Sequence, residues 1–126
     1  MITGNYDIVK LTEVLYRAME GVSDYIFPRK RPKVHDKMND FVVVSFPNRV
    51  YDNLGTGNTN CIISLYARDT AAGPDMPKLS SMQEMVYARL PIDNDICVIY
   101  RPVPVDAGPD DLGFHAILIY CKVRIK

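Results

Sequence analysis

The hydrophobic positions of this chain follow two different periods, and the period-two pattern is clearest at its end. From Phe114 the side chains divide into two rows, of which one, Ile117, Ile119, Cys121, Val123 and Ile125, is apolar throughout. The other row begins apolar with Phe114, Ala116, Leu118 and Tyr120, then turns cationic at Lys122 and Arg124. This pattern predicts a strand over 112–126 that is buried on both faces in its first half and on one face in its second. At about 3.3 Å per residue it spans about 40 Å, well beyond the usual strand of about 5 or 6 residues, so something must pair with its overhang. The apolar half reads as the centre of a core, and the cationic half, Lys122 to Lys126, as an edge made for a neighbour.

Near the start the period is helical. Ile8, Leu11, Val14, Leu15, Ala18, Met19 and Val22 recur at steps of three and four, which predicts a one-sided helix of about four turns capped by Asn5 or Asp7. Phe41 to Phe46 is a β-branched run stopped by Pro47 and predicts a central strand, and Cys61 to Arg68 predicts a second one. Between them, the stretch from Asn48 to Asn60 predicts a long hairpin loop. Ser81 and Glu84 spell a capping box that opens a helix from about Met82 to Leu90. Ile96 to Arg101 predicts a third strand, and the Pro-rich stretch after it a loop excluded from any central ladder. Helix, two strands, helix, two strands predicts an α+β fold: a largely antiparallel sheet of about four strands with two helices packed on one face. The expected organisation is one domain over residues 1–126.

Charge adds a feature that the total hides. The chain has 15 cationic and 15 anionic residues, yet Arg29 to Lys37 carries a net +4 and Asp93 to Asp111 a net −4. Arg29, Lys30, Arg31 and Lys33 lie in a proline-bounded segment, expected to be a solvated loop or a contact arm for an acidic surface or phosphates. Cys61, Cys97 and Cys121 lack metal-ligand spacing and sit in apolar runs, so buried reduced thiols and an intracellular place of synthesis are expected. The first ten residues lack an apolar h-region and no apolar run approaches the roughly 20 residues of a membrane span, so neither secretion nor membrane insertion is expected.

Candidate chemistry changes the picture little. Gly55 and Gly57 lead into a strand without the Lys-Ser/Thr of a phosphate loop. His35, Asp36 and Asp40 are close in sequence and His115 is on the last strand, but neither a zinc pattern nor a nucleophile–base pair results. No catalytic residue, cofactor or metal is therefore expected. Sequence-reading of nucleic acid needs cations interleaved with aromatics on one surface, whereas the cations cluster on a loop, so any DNA contact is expected to be non-specific.

Assembly accounts for more of these features. Opposite patches on different sides of one subunit meet between copies, and a heterologous contact of that kind builds a ring or a filament. The segments SLYARD, MQEMVYARL and LGFHAILIYCKV, with their order of elements, resemble the tail-terminator (tail-completion) proteins of long-tailed bacteriophages and prophages. The loop from Asn53 to Asn60 and the stretch from Ala71 to Pro77 lie outside that pattern. The resemblance implies a structural virion protein of the tail or neck, assembled in the host bacterial cytoplasm. It would form a ring, commonly a hexamer, that caps the head-proximal end of the tail tube and docks the head connector, with DNA passing through non-specifically. The alternatives are another head–tail neck component of the same small fold, a small host α+β binding module, or an enzyme using His35, Asp36 or His115. The residues themselves nominate the contacts: Arg29, Lys30, Arg31 and Lys33 toward an acidic neighbour or DNA, Asp106, Asp110 and Asp111 as the partner patch, and Lys122 and Arg124 toward the lumen or a neighbour.

Overall fold

Asp7 caps the first helix by accepting a hydrogen bond from the Lys10 backbone N–H at 3.1 Å, and α1 runs over Ile8–Ala18. The computed structural model describes residues 6–29, 33 and 37–126. The strands are β1 (Ile26–Pro28), β2 (Asp40–Ser45), β3 (Tyr51–Asn53), β4 (Thr56–Arg68), β5 (Ile92–Asp93), β6 (Cys97–Pro109) and β7 (Phe114–Ile125), with α2 over Met76–Ala88 between β4 and β5. They form one sheet in the order β1-β2-β4-β7-β6-β5, with β3 on the free end of β4. The fold is α+β, as expected. The sheet is larger than the four strands expected, and β1 pairs with β2 in parallel.

Four departures from the sequence reading have local causes. The stretch from Asn48 to Asn60 is no long loop: β3 and β4 close around a two-residue turn at Leu54 and Gly55, whose φ angles of 54° and 93° suit a type I′ hairpin. The helix α2 begins at Met76, where Asp75 accepts from the Lys78 N–H at 3.1 Å and Pro77 occupies the first turn. A proline costs nothing there, since its missing N–H would lack an intrahelical partner anyway. The expected capping box at Ser81 thus lies inside the helix. The Pro-rich stretch after Arg101 also joins the ladder, extending β6 to Pro109. Bulges between Tyr100 and Val103 and between Asp106 and Gly108 absorb it, and beyond the short β5 it lies at the sheet edge, where proline is tolerated.

The fourth departure concerns β7. It is buried as expected, on both faces from Phe114 to Ile117 and then on alternate residues. Its overhang, however, is filled by its own chain: β4 pairs with it from Phe114 to Ile125 and β6 pairs with both of its halves. Lys122 to Ile125 therefore form no free edge, and the reading of that half as an edge for a neighbour is corrected.

Alternation on these strands builds two unequal cores. The row with Ile117, Ile119, Cys121, Val123 and Ile125 packs with Val42, Ile63, Leu65 and Ile99 beneath Leu11 and Leu15 of α1, Met19 at its C-cap, and Leu79, Met82 and Val86 of α2. Both helices thus cover one face, and each fully buried Leu, Ile or Val there contributes about 1.5–3 kcal/mol. On the opposite face, Met38, Phe41, Val43 and Phe114 form a smaller cluster. Phe41 stacks on Tyr66 at 4.4 Å and meets Phe114 edge-on at 5.2 Å. The Arg68 guanidinium caps it, lying 4.7 Å over the Phe114 ring.

Candidate functional site

The face of the sheet away from the helices changes character along β7. Phe114 and Ala116 are buried at one end, Tyr120 is half exposed, and Lys122 and Arg124 stand in solvent at the other. The strand register extends that exposed end across the sheet. One row runs from Asp93 of β5 through Val98, Arg124 and Asn58 to Tyr51 of β3. The next runs from Tyr100 of β6 through Lys122 to Asn60 of β4. A cleft of about 260 Å³ lies among Tyr51, Asn58, Asn60, Tyr100 and Lys122. Arg49 adds a further cation, its guanidinium 4.6 Å over the Tyr51 ring.

Next along the same face comes an apolar stripe. Val103 and Val105 on β6 pair with Tyr120 and Leu118 of β7, and they remain 56% and 45% exposed, with Tyr120 at 38%. Among the described residues no helix covers them, because α1 and α2 pack on the other side.

The nominated contact residues are distributed as follows. Arg29 follows β1 with φ 75°, donates its N–H to Val44 O at 2.7 Å, and lines a groove of about 390 Å³ with Val9, Tyr16 and Pro28. Lys33 is exposed, and Lys30, Arg31, His35 and Asp36 lie outside the described residues. Of the three nominated acidic residues, Asp106 and Asp110 are engaged within the subunit. Asp110 accepts from the backbone of Leu112 at 2.8 Å and Phe114 at 3.0 Å, closing the β6–β7 turn. Asp93 holds Lys126 at 2.6 Å, and Asp111 is exposed.

Asp106 binds His115 Nε2 at 2.7 Å and the Gly108 N–H at 2.9 Å. An ionised carboxylate only accepts, so Nε2 donates. The Gly108 bond, followed by that from His115, holds the Asp106 carboxyl below its ordinary range. His115 itself is buried, and its Nδ1 has no hydrogen-bond partner among the described residues.

The three cysteines are buried free thiols. Among the described residues no three carboxylate, thiol or imidazole groups converge as a metal site would require, and no helix is long and apolar enough to cross a membrane.

The sequence reading located Lys122 and Arg124 but missed the surface around them. Tyr51, Asn58, Tyr100 and Lys122 come from four strands, and only the register brings them together. The signal available was the period-two alternation of Asn58, Asn60, Lys122 and Arg124 against buried neighbours. Comparison with protein-family models and with curated protein sequences finds no match.

Proposed function

We propose that the chain is a structural subunit that assembles with copies of itself into a ring, and that it serves as a tail terminator of a long-tailed bacteriophage or prophage. The observation that carries the ring is the exposed apolar stripe made by Val103 and Val105 on β6, at the sheet edge, with Tyr120 of the neighbouring β7. Exposed apolar side chains grouped in this way mark contact surfaces. Prolines at 102, 104 and 109 hinder edge-to-edge ladder pairing there, so the contact would be made by side chains on the open face. The terminator role rests on the resemblance in SLYARD, MQEMVYARL and LGFHAILIYCKV and on the order of elements.

In this reading the mechanism is geometric. The ring seats on the last layer of tail-tube subunits, ends tube growth and presents a face to the head connector, with no reaction and no cofactor. Of the charged contacts first nominated, Asp106 and Asp110 act mainly within their own subunit, whereas Arg29, Lys33, Asp111, Lys122 and Arg124 are exposed. Adding the purified protein to tail tubes that lack their terminator tests the role: tubes of uniform length capped by a ring support it, and uncapped tubes of unrestrained length overturn it. Capture of tubes without capping would favour another neck component instead.

A further inference from the structure

We propose that the exposed cationic end of the open sheet face binds single-stranded nucleic acid, with a base seated in the cleft between Tyr51 and Tyr100. This surface is separate from the apolar stripe and does not depend on ring assembly. Lys122 and Arg124 are exposed on adjacent outward positions of β7, and neither has a carboxylate partner among the described residues. The one carboxylate in these two rows, Asp93, is already neutralised by Lys126. The face is therefore cationic in a protein of zero formal net charge, and its complement is an anion.

The neighbours of these cations specify which anion. Tyr51 and Tyr100 stand on β3 and β6, about 14 Å apart across the sheet and in adjacent rows along it, with the Asn58 and Asn60 side chains and Lys122 on the floor between them. Tyrosine rings offer stacking faces to bases of any sequence, amides offer donors and acceptors to a base edge, and lysine and arginine meet the phosphates. A cleft of about 260 Å³ admits one base but not a duplex, whose bases are already paired and stacked. An acidic peptide would satisfy the cations and leave the tyrosines and amides unused, so the single strand is the better fit.

The test is fluorescence anisotropy of a labelled oligothymidylate titrated with the full chain. A duplex of matched length and polyglutamate serve as competitors, and the variants are Tyr100→Ala and the double charge reversal Lys122→Glu with Arg124→Glu. The single strand is expected to bind saturably and to outcompete both other polymers. Tyr100→Ala weakens binding about 5- to 150-fold, and the charge reversal weakens it further and lowers the salt dependence of what remains. The two reversed positions are solvent-exposed, so their thermal melting serves as the folding control and they carry the test if Tyr100→Ala fails to fold. Equal or tighter duplex binding, displacement by polyglutamate, or unchanged affinity in the charge-reversed protein would overturn the proposal. Loss of the ring with binding retained would overturn the assembly reading alone.

Discussion

Cys61 of β4 and Cys121 of β7 stand directly opposite each other in the antiparallel register, both thiols buried at the centre of the sheet. The interaction with Cys121, then burial, pushes the Cys61 thiol well above its ordinary value, while the same interaction lowers that of Cys121. What the three thiols share is burial, which keeps a bulky reagent from reaching them. The native protein is expected to withhold all three cysteines from a chromogenic thiol reagent and to release them together on unfolding. Rapid labelling without denaturant would show that the core opens locally.

Val123 and Ile125 are buried in the segment that the sequence alone would assign to a neighbour. Because Lys122–Ile125 pairs with both β4 and β6, truncation after Cys121 should unfold the protein. Large-to-small changes at sites of this kind cost up to about 5 kcal/mol each, against a total stability of about 5–15 kcal/mol for a typical domain. Loss of a cooperative thermal transition by circular dichroism is the expected result. A truncated chain that melts like the parent would contradict the central position of β7.

Asp75 and Ser81 separate two accounts of where α2 begins. Asp75→Ala removes the cap and should cost about 1 kcal/mol, whereas Ser81→Ala, on an exposed position within the helix, should be near neutral. Urea denaturation of the two variants decides between them, and the reverse order would restore the helix start at Ser81.

The Asp106–His115 contact gives a pH dependence of defined sign. The Asp106 carboxyl lies below its ordinary value of 3.8 when folded. Its contribution is therefore fully present above that value and is lost as pH falls through the folded one. The sensitive window is below about pH 4. Asp106→Asn should flatten the acid limb of the stability profile measured by denaturation across that range, and superimposable limbs would remove Asp106 from the account.

Much of the architecture could be read from the chain because local pattern and tertiary environment agree at those positions. The alternation in β7 survives intact, and Leu11, Leu15 and Met19 face the core as their spacing requires. The reading failed where one residue type carries two meanings. Pro102 and Pro104 ordinarily exclude a strand, yet at an edge with bulges they are accommodated, and Pro77 ordinarily ends a helix but here lies in its first turn. The parallel strand Ile26–Pro28 is three residues long and depends on β2 for its existence. The open-face surface was the least legible part, because Tyr51, Tyr100 and Lys122 share no local motif and become neighbours only through strand order.

A contact between copies through Val103 and Val105 is read out by sedimentation velocity of the purified chain from micromolar to millimolar concentration. The account predicts a single closed oligomer several times the mass of one subunit, dispersed to monomer by Val103→Asp with Val105→Asp while the melting temperature is retained. A parent protein that stays monomeric at every concentration, or an oligomer of unchanged mass in the double variant, would contradict it.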